Sequence, residues 1–70
     1  MQGNVKRFNK HKGFGFITGE DSQDYFFHFS ELIMEGFKTV DVGTLVEFEN
    51  CDTDRGLQAH NIKLLKADES

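Results

Sequence analysis

The sequence predicts an all-β domain, one sheet of five antiparallel strands curled shut into a small barrel. Three observations carry that expectation. Apolar residues recur with period two in short runs bounded by Gly, Asn and Asp, which is the pattern of strands. The run Val46-Glu47-Phe48-Glu49 shows two clean faces, apolar one way and acidic the other. Finally, a chain of 70 residues makes one domain at most, and five strands of this length leave no room for two stacked sheets.

Taken in order, the first strand is expected near Asn4–Asn9 and the second near Gly13–Thr18. The turn Gly19-Glu20-Asp21-Ser22 leads into a third strand, Asp24–Phe29. Ser30-Glu31-Leu32-Ile33 reads as a single helical turn with Ser30 as its N-cap. A loop through Gly36 and Gly43 precedes a fourth strand, Thr44–Asn50, and Cys51–Gly56 reads as a turn before a fifth strand, Leu57–Leu65. Such a sheet closes as a five-stranded barrel of the OB type. The domain is expected to cover residues 1–66, with 67–70 a frayed tail. Core candidates are Ile17, Phe27, Ile33, Val46, Phe48 and Ile62.

Composition narrows the functional classes. No apolar run approaches the roughly 18 residues of a membrane span. The start, Met1-Gln2-Gly3-Asn4, lacks the basic-then-apolar order of a signal peptide, so a cytoplasmic protein is expected. The single cysteine, Cys51, allows no internal disulfide, which suits a reducing compartment. Cys51 has no histidine close in sequence, and His11, His28 and His60 lack metal-site spacing, so neither an enzyme nor a metal or other cofactor is expected. No glycine-rich loop opens a helix in the manner of a nucleotide site.

Two features point to binding instead. The chain holds eight Phe and one Tyr but neither Trp nor Pro. Each aromatic buries roughly 150–250 Å², more than so small a core can absorb for all of them. Some must face solvent, and an exposed apolar cluster marks a binding surface. Charge is also segregated within the net −4: residues 1–19 carry Lys6, Arg7, Lys10 and Lys12 and no acid, whereas residues 20–54 carry ten acids against Lys38. The basic block overlaps the first aromatic cluster.

That cluster is Lys12-Gly13-Phe14-Gly15-Phe16-Ile17. On a strand, Phe14 and Phe16 share one face while Gly13, Gly15 and Ile17 share the other. Two strand phenylalanines are ordinarily core. The third strand, Tyr25-Phe26-Phe27-His28-Phe29, argues otherwise, because Phe26 shares its face with His28, and a face that carries histidine is the wet one. If the two strands form a hairpin, Phe14, Phe16, Phe26 and His28 make one exposed patch with Lys12 beside it. Such a patch suits single-stranded nucleic acid: each unpaired base can stack on a ring for roughly 1–3 kcal/mol, while a duplex hides its bases. The few nearby cations would hold phosphates.

On these residues the chain resembles the bacterial cold-shock proteins over roughly residues 2–65. Lys12–Ile17 is similar to their first RNP motif and Tyr25–Phe29 to their second. Lys6-Arg7-Phe8-Asn9 looks like their strand-1 signature, and Gly36-Phe37-Lys38-Thr39 like their loop signature; Arg55-Gly56 and Gln58-Ala59 also fall in family places. The resemblance implies an antiparallel OB-type barrel that binds single-stranded RNA and single-stranded DNA with loose, pyrimidine-leaning preference. It also implies an RNA-chaperone role in the stress response, as a monomer. Carried over by position, the binding residues are Lys6, Arg7, Phe8, Lys12, Phe14, Phe16, Phe26, His28, Phe29 and Phe37, with Asp24, Lys38, Arg55 and Gln58 at the rim.

The chain departs from the family pattern in places. Arg7 stands where the family usually has Trp, and Leu57 where proline usually follows the strand-5 glycine, a change expected to loosen the turn and spare the site. His60 replaces a small residue and alternates with Ile62 and Leu64, so a half-buried structural histidine is expected. The family exposes the positions of Arg7 and Phe8 together, which requires a bulge or a strong coil there. Two other readings stay open: a protein-interaction OB domain, and an RNA binder like a translation-initiation-factor domain.

Overall fold

A computed structural model describes residues 1–33 and 40–65 of the chain. Strands β1 (Gln2–Asn9), β2 (Phe14–Gly19) and β3 (Asp24–His28) form a meander. A 3-10 turn, Phe29–Glu31, and a two-residue strand β4 (Leu32–Ile33) follow, then β5 (Leu45–Thr53) and β6 (Gly56–Leu64). The sheet runs β3-β2-β1-β5-β6, and β3 pairs back with β6, so five strands close a barrel with β4 appended to the outer side of β6.

The expected antiparallel barrel is in fact mixed. Neighbours are antiparallel around the ring except at the closure, where β3 and β6 run parallel through one rung, Phe26↔Gln58; β4 is also parallel to β6. Parity requires a parallel closure, since directions that alternate around an odd number of strands cannot close without one parallel neighbour.

Among the described residues ten apolar side chains are buried in the core, including Val5, Ile17, Tyr25, Phe27, Val46, Phe48 and Ile62. Five of the six expected core residues are there. Ile33 is not, at 50% exposed: in so short a strand Leu32 takes the inward position and Ile33 the outward one. The expected helical turn capped by Ser30 is also revised. The 3-10 turn starts one residue earlier, and its N-cap is His28, whose ring accepts a hydrogen bond from the Ser30 N–H at 3.2 Å. The turn expected at Cys51–Gly56 shrinks to Asp54-Arg55, because β5 and β6 stay paired to Thr53↔Gly56. Thr53 closes it, its Oγ1 accepting from the Arg55 N–H at 3.2 Å and donating to the Gly56 carbonyl at 2.8 Å.

Two irregularities shape the barrel. On β1 the register slips between Val5, opposite Ile17, and Arg7, opposite Phe16. Lys6 is therefore the extra residue of a bulge, and both Lys6 and Arg7 face solvent. On β6 the slip falls near Asn61, which adopts a left-handed φ of 51°, a conformation Asn tolerates. The walls are tight where β1 crosses β2: a Cβ on Gly15 would fall on the Arg7 carbonyl oxygen and lie 2.9 Å from Phe8 Cα. Only glycine fits there, which explains its presence in an otherwise aromatic strand.

Candidate functional site

Strand pairing assembles the aromatic face in rows. Arg7 on β1 stands opposite Phe16 on β2, Phe16 opposite Phe26 on β3, and Phe26 opposite Gln58 on β6. Phe14 faces His28 in the row on one side, and Thr18 faces Asp24 on the other. Period-two alternation puts Ile17, Tyr25 and Phe27 into the core and leaves Phe14, Phe16 and Phe26 half-buried on the outer surface.

The rings support one another. Phe26 lies between Phe14, at 5.5 Å between centroids and tilted 39°, and Phe16, at 5.7 Å and edge-on at 71°. His28 packs edge-on against Phe29 at 4.8 Å, and both are exposed, Phe29 at 40%. These are the separations at which aromatic pairs attract, and they hold the platforms in place before anything binds.

Phe8 is half-buried, like the three rings of the face, but packs differently. It pairs with Gly15 and stacks on the core ring of Phe27, 5.7 Å away and 7° from parallel, so its ring packs against the core. The bulge falls at Lys6 and exposes Lys6 and Arg7, with Phe8 half-buried after them. Lys12 is exposed in the turn after β1, where Asn9 Oδ1 accepts from its backbone N–H at 3.0 Å. Phe37 and Lys38 lie outside the described residues.

Polar groups border the rings. Lys6 reaches from β1 to Asp24 on β3, Nζ to Oδ2 at 2.8 Å, and Thr18 Oγ1 donates to the other Asp24 oxygen at 3.2 Å. The bond from Lys6 holds the Asp24 carboxyl below its ordinary 3.8, with Thr18 helping and partial desolvation opposing. Two clefts flank this pair. One, of about 380 Å³, is lined by Phe16, Asp24, Phe26, Arg55, Leu57 and Gln58. The other, of about 190 Å³, is lined by Lys6, Arg7, Phe16 and Asp24.

Sequence reasoning missed two of these residues. Thr18 was findable, because it follows Phe14 and Phe16 at period two on the same strand. Leu57 was expected to affect only the turn, yet it forms a wall of the larger cleft beside Phe26. No local signal places it there, since β6 meets β3 only on closure.

Some titratable groups serve the scaffold. Tyr25 donates to Asp21 Oδ2 at 2.6 Å; the bond pushes the phenol up to about 12 and draws Asp21 down. His60 is half-buried as expected, its Nδ1 3.3 Å from Glu31 Oε1, tying β6 to the 3-10 turn. Cys51 is an exposed free thiol. Among the described residues, no three His, Cys, Asp or Glu converge on a metal position, and no helix is long and apolar enough to cross a membrane.

Comparison with known proteins shows the family and the fold. A family model described as "'Cold-shock' DNA-binding domain" matches residues 1–65. The chain is 54% identical over 61 residues to Cold shock protein 2 of Lactiplantibacillus plantarum, covering 87% of this chain and 92% of that one. It is 52% identical over 62 residues to Cold shock-like protein CspC of Bacillus cereus, covering 89% and 95%. A Cold shock-like protein of Aquifex aeolicus is 48% identical over 66 residues, covering 93% and 94%. Among solved structures, drosophila Unr CSD456 superposes with a TM-score of 0.78 at 31% identity; the match takes in 99% of this chain and 28% of that longer one.

Proposed function

Because the chain belongs to the cold-shock domain family, whose members are nucleic-acid-binding domains, we propose that it binds single-stranded RNA and single-stranded DNA on the Phe14–Phe16–Phe26 face. The observation that carries the reading is the transverse row Arg7, Phe16, Phe26, Gln58, with Phe14 and His28 beside it. Three rings braced through Phe26 offer stacking platforms to bases that are already unpaired. Stacking tolerates any base, so preference is loose and leans to flexible pyrimidine runs. Cations are few and one, Lys6, is already paired with Asp24, so phosphate contacts are the minor part.

A binder of this kind traps transiently opened strands without holding them tightly. That supports an RNA-chaperone role in the cytoplasm, in which the protein keeps RNA from settling into stable hairpins. The test is a titration of fluorescein-labelled oligo-dT and oligo-U against the matching duplexes. Strong single-strand binding with weak duplex binding is expected; equal affinity for duplex and single strand would overturn the assignment.

A further inference from the structure

We propose that the cleft between Arg7 and Asp24 reads guanine, making one position of the bound strand base-specific on an otherwise tolerant face. This rests on the single-strand reading above and concerns one step of it, the base stacked at Phe16.

The bulge at Lys6 turns Arg7 outward and sets it directly across from Phe16. Asp24 lines the same cleft from β3, with Phe16 between the two. The cleft thus joins an aromatic platform to a fork of N–H donors and a carboxylate acceptor. Lys6 does not compete for a ligand in the same way, because its ammonium is already on Asp24 at 2.8 Å. That pair also offsets the Asp24 charge, which would otherwise repel a phosphate backbone. Among the described residues Arg7 enters no ion pair, so its fork remains open to a ligand. Asp24 accepts one bond on each oxygen, from Lys6 and from Thr18, and an ionised carboxylate has about four acceptor sites, so capacity remains.

Guanine is the base that matches both sides. Its O6 and N7 form an acceptor pair that an arginine fork takes in a bidentate contact. Its N1–H and N2–H₂ form a donor pair on a different edge, which a carboxylate can accept. Adenine sets a donor beside N7 and so opposes the fork. Uracil and thymine set O4 beside N3–H as guanine sets O6 beside N1–H, but they lack the N7 and N2 partners and make one bond to each wall where guanine makes two; cytosine turns a donor to the fork. A flat apolar side chain in place of Arg7 would stack and would not discriminate.

The test is a calorimetric titration of an all-thymine heptamer and its seven single-guanine variants against the parent chain, Arg7→Lys and Asp24→Asn. In the parent, guanine at one position should tighten Kd by about tenfold over all-thymine, the scale of one bidentate contact. Arg7→Lys keeps a charge and loses the fork, so its guanine-to-thymine ratio should fall to near one, whatever its absolute affinity. Asp24→Asn should reduce the ratio severalfold. No favoured position in the parent, or a ratio that persists in Arg7→Lys, would overturn the proposal. Failure of the parent to bind any of the strands would instead sink the single-strand reading beneath it.

Discussion

Removing the Phe26 ring tests whether the face is a binding surface or misplaced core. Among the described residues, Phe26 touches two aromatic neighbours, Phe14 and Phe16, whereas each of those pairs only with Phe26. An aromatic pair contributes about 0.5–1.5 kcal/mol beyond its buried area, so Phe26→Ala should lower folding stability by about 1–3 kcal/mol. Phe14→Ala and Phe16→Ala should each lose roughly half as much. Phe27 is 1% exposed, and Phe27→Ala should lose about 3–5 kcal/mol, enough to threaten a domain this small. Binding should rank differently. Phe26→Ala should weaken oligo-dT binding by about 1–3 kcal/mol and more than either neighbour does, because both neighbours lose their brace. Urea melts followed by far-ultraviolet circular dichroism give the stabilities. Isothermal titration gives the affinities, as a chain without Trp offers no indole signal. A stability loss for Phe26→Ala as large as that for Phe27→Ala would mean the faces are assigned backwards. Unchanged affinity in a folded Phe26→Ala would remove the ring from the site.

Three further outcomes follow from the geometry. Gly15→Ala should destabilise the barrel by about 1–3 kcal/mol in urea melts, as the added carbon meets β1 backbone with nowhere to move; parent-like stability would contradict the tight crossing. The log–log salt dependence of oligonucleotide binding should be shallow, with about three or fewer counterions released, and a slope typical of a many-phosphate binder would refute stacking as the main term. Tyr25 and Asp21 set a pH signature readable as the stability gap between parent and Tyr25→Phe. The phenol is raised to about 12, so its contribution is intact below about 10, the ordinary value, and fades as pH climbs between the two. Asp21 is lowered from 3.8, so the gap also narrows as acid protonates it below that value; a gap flat from pH 7 to 12 would deny the bond any role.

Much of the face was legible because it depends on a local rule. Alternation along β2 and β3 fixes which of Phe14, Ile17, Phe26 and Phe27 point inward, and one histidine tells which side is wet. Nothing local reports pairing partners. Leu57 and Gln58 meet Phe26 only because β6 closes on β3, and β4 exists only because Leu32 and Ile33 lie alongside Ile62 and Lys63. The exact place of the bulge was likewise hidden: a need for one near Arg7 was readable, but that Lys6 is the extra residue shows only in the pairing of β1 with β2. The parallel closure, by contrast, follows from strand count alone.

The single rung between β3 and β6 is where this barrel should breathe. Antiparallel ladders hold the other four joints, each with several rungs, so thermal opening has its weakest clasp at Phe26 and Gln58. Those residues also lie in the proposed path of the nucleic acid. A strand draped from Phe16 across Phe26 to Gln58 would act as a suture over the joint, shifting it toward closed and raising the melting temperature with ligand concentration. The linkage is reciprocal. Any substitution that loosens the joint from within the core would weaken binding without touching a base, and amides flanking the rung should gain hydrogen-exchange protection when the strand is bound.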